Sequence, residues 1–261
     1  MSSQVAHRVD TGDGYPVVRL TGVLDADGAP ALRSALLGVL ADQPEALIVD
    51  VSDLRLAHSG ADGVLSEVAA ETSDWPAAQI VLTAEQDAER WHGSGLPVRP
   101  SPADARTDLG VPDPQHRITL PLEPVVGAAR RARELVTEVA ARWDCPGLAG
   151  PACTVVTELV NNVVAHAHTP MTVMIARYEG QMSVAVRDQS PVAPRFTGTP
   201  VAPTSYGGRG LLLIDSMASR WGHLDLAGGK VVWALLHDGT DEPEPAGTRA
   251  GQAGMRRPAR G

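Results

Sequence analysis

The stretch Thr157 to Thr169, TELVNNVVAHAHT, holds the residues of this sequence best suited to chemistry. Wound as an α-helix, it gathers Val155, Val156, Leu159, Val160, Val163, Val164 and Ala167 on one side and Glu158, Asn161, Asn162, Ala165 and His166 on the other. A solvated helix face normally mixes Lys, Glu and Arg, whereas an acid beside two amides offers little helix propensity in return for the entropy it loses. Glu158 and Asn162 stand one turn apart, so a carboxylate able to take a proton and a neutral oxygen able to hold Mg²⁺ point into the same space. That pairing suits a nucleotide phosphate site. The plain alternative is a polar face turned to water, and the helix alone does not decide between them.

Further chemistry-bearing residues follow in chain order. Met171 to Tyr178 and Met182 to Arg187 read as two antiparallel strands around a Glu179-Gly180 turn, and the second ends at Asp188. An acid at a strand end ordinarily serves a turn. Pro191 to Tyr206 holds four prolines and little periodicity, a loop long enough to act as a lid. It leads into Gly207-Gly208-Arg209-Gly210-Leu211 and a helix, where glycines let backbone N–H groups approach a phosphate closely or serve steric ends alone. Strands at Trp221 to Leu226 and Lys230 to Leu236, turning at Gly228-Gly229, complete this half. Before it lie a strand at Arg117 to Pro121 and a helix from about Pro124 to Trp143.

The first half alternates strand and helix patterns. Pro16 to Leu24 alternates apolar and polar residues, Ala29 to Ala41 sets Leu32, Leu36, Leu37 and Leu40 at helical spacing, and ALIVDV from Ala46 to Val51 reads as a buried parallel strand. A helix beginning near Ser59 carries Val64, Leu65 and Val68, and Gln79 to Thr83 is a further strand, so a small α/β sheet is predicted. The Ser59 hydroxyl is placed to cap that helix. Between Leu96 and His116 the five prolines and the charged residues predict an extended linker. The tail from Asp238 to Gly261 predicts disorder.

The 261 residues suffice for two domains, and 43% hydrophobic residues support cores built from Ala, Val and Leu, since aromatics make up only 3%. A formal charge of −9 argues against direct nonspecific nucleic-acid binding. Cys145 and Cys153 form neither a disulfide framework nor a zinc site and are expected as core thiols in a reducing cytosol. The N-terminus lacks a signal pattern and no uninterrupted apolar run approaches membrane-spanning length, so a cytoplasmic protein without a membrane partner is expected.

Two resemblances rest on these segments. VVRLTGVLDADGAPALRSAL followed by VDVSDLRLAHSGADGVL resembles the STAS domain of anti-anti-sigma factors: Asp50, Ser52 and Leu54 match the family's signature, and Ser59 falls on the serine its partner kinases phosphorylate. His58, Gly60 and Ala61 depart from that signature, and a shift of one residue would put His58 at the acceptor position. RITLPLEP, ELVNNVVAHA, VRDQSP, GGRGLLLIDSMASRWG and GGKVVWALL together are similar to the GHKL (Bergerat) ATP-binding domain, and more closely to the serine kinases that act as bacterial anti-sigma factors.

These resemblances imply an N-terminal STAS-like α/β domain at 1–110, with the linker at about 97–116. A C-terminal Bergerat-type α/β sandwich, a mainly antiparallel sheet covered by helices, follows at 115–238, then a tail at 239–261. They imply ATP and Mg²⁺ as cofactors, Glu158 as general base, Asn162 as Mg²⁺ ligand and Asp188 as acceptor of the adenine amino group. Gly208, Gly210 and the Leu211 amide would shape the phosphate loop. The implied acceptor is a STAS-domain serine, either Ser59 of the same chain or of a homodimer mate or one on a separate anti-anti-sigma factor, with a sigma factor as the regulated partner. The alternative is a nucleotide-dependent binding switch without catalysis. Ser190 stands where the wider superfamily has glycine, and Val231 where members often have a threonine that helps hold adenine.

Overall fold

A computed structural model describes residues 5–12, 14–178, 180–192 and 209–237. The chain divides into two units, Met1–Pro114 and Gln115–Gly261. The first contains a five-stranded sheet in sequence order: β1 (Ala6–Asp10), β2 (Val17–Leu24), β3 (Ala46–Leu56), β4 (Gln79–Thr83) and β5 (Val98–Arg99). β1 joins β2 antiparallel and the other pairs are parallel. Helices α1 (Ala29–Leu40) and α2 (Gly63–Glu71) pack together, joined by an Arg33–Glu71 ion pair at 2.6 Å. Their buried residues, Leu32, Leu36, Leu37 and Leu40 in one and Val64, Leu65 and Val68 in the other, recur at helical spacing.

The predicted extended linker is corrected by the structure. Residues 98–109 form β5 and helix α3 (Pro102–Leu109), both part of the first unit. Pro102 opens the helix directly after its N-cap Ser101, whose hydroxyl accepts the Asp104 amide at 3.2 Å, and Gly110 ends it with φ 78°. Pro102 is therefore a helix-start residue rather than a spacer. Ala105 is fully buried and packs with Tyr15, Val17, Ala46, Ile48 and Val81 on one face of the sheet. The start of α2 is corrected too: Gly63 begins it after Asp62, and Ser59 lies in an exposed turn instead of capping the helix.

In the second unit β6 (Arg117–Leu122), β7 (Met171–Tyr178), β8 (Gln181–Asp188), β9 (Arg220–Leu226) and β10 (Gly229–Leu236) form an all-antiparallel sheet in the order β6-β7-β8-β10-β9. Helices α4 (Ala128–Arg142), α5 (Pro146–Asn162) and α6 (Arg209–Met217) accompany it. Their apolar residues share one core with Val173, Ile175, Val184, Val186, Val232 and Ala234, alternate positions that define the helix-facing side of the sheet. α4 begins four residues later than Pro124, after Gly127 in the left-handed conformation (φ 99°).

The segment Pro146–Ala167, with mean hydropathy 1.3 over its best window, is long and apolar enough by composition to cross a membrane. Leu148, Ala152, Val155, Val156, Leu159 and Val160 are instead buried in the core of this unit, which accounts for the composition. After Asn162 the helix widens into one π-turn, Val163–Ala167, closed by the His168 amide on the Val163 carbonyl at 2.8 Å. The C-terminal segment predicted to be disordered, 239–261, lies outside the described residues.

Candidate functional site

Helix α5 is the element around which the candidate residues are arranged, because it packs against α6, β8 and β10. Val155, Val156, Leu159, Val160 and Val163 take its buried side. Glu158 and Asn162 are half-buried one turn apart, while Asn161 is exposed, so of the two amides Asn162 is the one that stands beside the carboxylate on a partly sheltered surface. Hard oxygen donors of this kind fit Mg²⁺, which typically takes one or two protein oxygens and completes its shell with phosphate and water. No group of three or more His, Cys, Asp or Glu suited to an all-protein metal site exists among the described residues.

Asp188 is the last ladder residue of β8, paired with Met171 of β7 and Lys230 of β10 and 3% exposed, and it serves the turn that follows as well. It shares the helix-facing side of the sheet with Val184 and Val186, at the rim where β8 ends. Its Oδ1 accepts the Ser190 amide at 2.7 Å, so the residue at the family's glycine position folds the loop back onto the carboxylate. Lys230 Nζ donates to Oδ1 at 3.0 Å and stands 2.9 Å from Oδ2, an ion pair with both side chains nearly sealed from water. Gly229 makes the approach feasible: at φ 148°, a Cβ there would lie 1.9 Å from the Asp188 carbonyl oxygen.

Lys230 is the residue that sequence reasoning missed. Val231, the position compared with a base-holding threonine, pairs with Arg187 and faces the opposite side of the sheet from Asp188. The one signal available was the register between two strands distant in the chain: once β10 and β8 are aligned, the residue across from Asp188 is Lys230.

Thr169, just beyond the π-turn, accepts the Gln189 amide on its hydroxyl at 3.2 Å and ties the end of the Glu158 helix to the segment after Asp188. An open depression of about 400 Å³ adjoins that point, lined by Pro121, Glu123, Arg131, Met171, Arg187 and Asp188 among others; Glu158 and Asn162 do not line it. Arg209, Gly210 and Leu211 begin α6, the first turn of which carries backbone N–H groups without partners inside the helix. Gly208 lies outside the described residues. In the first unit, Ser59 is exposed, with its carbonyl 3.1 Å from His58 Nδ1. Asp50 is held by Arg19 at 2.8 Å and accepts the Ser52 hydroxyl at 2.7 Å, a structural use of the residues that match the STAS signature.

A mixed, mostly parallel sheet with helices in the first unit, and a helix-covered antiparallel sheet with a buried acid at its rim in the second, make two distinct α/β units. Sequence comparison agrees: residues 7–88 match the family model described as Mlab, STAS domain, and residues 122–235 match that of the histidine kinase-like ATPase domain. The chain joins a STAS domain to a histidine kinase-like ATPase domain. Among solved structures, the crystal structure of an anti-sigma factor antagonist from Mycobacterium paratuberculosis aligns with 41% of this chain and 97% of its own, at 28% identity and a TM-score of 0.34. No curated protein sequence matches.

Proposed function

We propose that this protein is a regulatory ATPase of the anti-sigma factor type, whose second unit binds Mg·ATP and transfers its γ-phosphoryl group to a serine on a STAS domain. The observation that carries the reading is the buried carboxylate of Asp188 at the sheet rim of a histidine kinase-like ATPase domain, in a chain that also holds a STAS domain. Bound Mg·ATP supplies the phosphoryl group and neutralises the charge that develops as the bond to the β-phosphate breaks. Asn162 gives its amide oxygen to the ion. Backbone amides of Gly210 and Leu211, and of Gly208 before them in the sequence, would hold the phosphates, and Asp188 would accept the amine of the base. Glu158 takes the proton from the attacking serine hydroxyl as its oxygen bonds to phosphorus and ADP leaves.

Ser59 is the acceptor within the chain, and its exposed turn leaves the hydroxyl accessible. A separate anti-anti-sigma factor is the acceptor in trans, with sigma-factor availability as the output. Incubation with γ-labelled ATP and Mg²⁺ tests this directly. Label on the wild-type chain that is lost in both Glu158→Ala and Ser59→Ala places the acceptor at Ser59. Label that survives Ser59→Ala but not Glu158→Ala moves it elsewhere. Normal ATP binding with no transfer to this chain or to other STAS domains supports a non-catalytic binding switch instead, a reading that the departures at His58, Gly60 and Ala61 favour.

A further inference from the structure

The Asp188–Lys230 pair has more polar capacity than it uses. A carboxylate offers about four acceptor positions. Oδ1 is occupied by the Ser190 amide and by Lys230, whereas Oδ2 has only the ammonium at 2.9 Å. One acceptor position on Oδ2 is thus open among the described residues. The ammonium carries three protons. Beyond Asp188, its one further acceptor among the described residues is the Ser190 carbonyl at 3.4 Å, outside the usual range of about 2.7–3.2 Å for such a bond. Oδ2 of Asp188, which lines the open depression, thus keeps one unfilled acceptor position, and the ammonium 2.9 Å away, just behind that lining, keeps one poorly used donor.

That pattern has a chemical complement in a base edge with a donor amine next to an acceptor ring nitrogen. We propose that Lys230 is a second base-reading residue of the nucleotide site, donating to adenine N1 while the Oδ2 of Asp188 accepts from the 6-amino group. This rests on the nucleotide reading of the second unit. It adds a direct, charged contact at the ring nitrogen, from a side chain whose position is set by its pairing opposite Asp188 in the β8–β10 ladder. The geometry also explains why a cation is tolerated here. In the empty site Lys230 neutralises the buried carboxylate, and with the base in place it keeps that role while turning its loosely held proton from the Ser190 carbonyl to N1.

A rival arrangement uses the same atoms differently: the ammonium would occupy the place of the base amine and have to be displaced. The two differ in what removal of N1, and removal of Lys230, does to binding. Dissociation constants are measured for the full-length protein with Mg²⁺ and three probes. These are ATP, 1-deaza-ATP, in which N1 is a C–H, and purine riboside triphosphate, which lacks the amine. For the wild type, a loss of about tenfold or more is expected for 1-deaza-ATP, the worth of a hydrogen bond from a charged donor, and a loss also for the purine analogue. For Lys230→Met, ATP and 1-deaza-ATP are expected to bind equally, within about twofold, because the donor that told them apart is gone.

Equal binding of ATP and 1-deaza-ATP by the wild type overturns the proposal, and that comparison needs no variant to fold. Tighter ATP binding by Lys230→Met than by the wild type overturns it in favour of the rival. Persistent discrimination by Lys230→Met overturns it as well, since another group then reads N1. If the wild type binds none of the three probes, the nucleotide reading itself fails and this inference with it; ATP binding that is indifferent to N1 sinks only the inference.

Discussion

Asp188 and Lys230 are buried together at 9% or less side-chain exposure, so each is tolerable only because the other is present. Removing one partner leaves an uncompensated charge in the core and is expected to destabilise the second unit by about 3–5 kcal/mol. Replacing both, as in Asp188→Leu with Lys230→Met, exchanges the pair for apolar side chains and is expected to recover most of that loss. Denaturant midpoints of the two single variants and the double variant check this, and equal loss in all three would contradict it. The same pair depends on Gly229. A methyl group there would overlap the Asp188 carbonyl, so Gly229→Ala must push the start of β10 away from β8. Its expected effect is a loss of stability together with a loss of nucleotide affinity, whereas Gly228→Ala, with open space at its Cβ, leaves both nearly unchanged.

At the scale of elements, α3 shows how a few contacts can turn a segment with the composition of a linker into part of a domain. Its first turn is capped by Ser101, its one fully buried side chain is Ala105, and its last carbonyl, that of Leu109, accepts the Tyr15 hydroxyl at 3.3 Å. Ser101→Ala is expected to lower the stability of the first unit by about 1 kcal/mol, measured by denaturant titration. Tyr15 adds a pH dependence. Burial, and then the nearby Glu45 carboxylate, raise its phenol above the ordinary value of 10.0. The folded state thus favours the neutral ring, and this contribution is intact below the unfolded value and lost as pH rises through the folded one. The melting temperature of the first unit should fall above about pH 10, and less steeply in Tyr15→Phe than in the wild type.

These elements also mark what could be read from sequence. β2, β3, β7, β8 and β10 were legible because half or more of each strand is buried, which fixes an alternating or continuous apolar pattern. β1 was not, since all five of its residues, AHRVD, are exposed and no core imposes a pattern on them. α3 was hidden because its burial falls on one small alanine among Pro, Asp and Arg. Of the candidate site, the helix with Glu158 and Asn162 declared itself by an odd polar face. Lys230 could not, because its meaning comes from the residue across the sheet, 42 positions away in the chain.

The whole molecule consists of two units, each with buried clusters of its own: one around Tyr15, Val17, Ile48, Val81 and Ala105, the other uniting α4, α5 and α6 with the antiparallel sheet. Separate cores imply separate cooperative transitions unless the units stabilise one another strongly. Calorimetry of the full chain should therefore resolve two steps, which variants assign: Ser101→Ala lowers only the step belonging to the first unit, and Asp188→Ala only that of the second. A ligand that binds one native unit raises that unit's transition alone, by RT ln(1 + [L]/Kd), about 2.7 kcal/mol at a hundredfold excess over Kd. Saturating Mg·ATP is thus expected to raise the step that Asp188→Ala lowers and to leave the other in place. A matching rise in both steps would mean that nucleotide couples the units, and the STAS domain would then be a sensor of the bound state. A rise confined to the step marked by Ser101→Ala would put the ligand in the wrong unit and refute the nucleotide site at the rim of the antiparallel sheet.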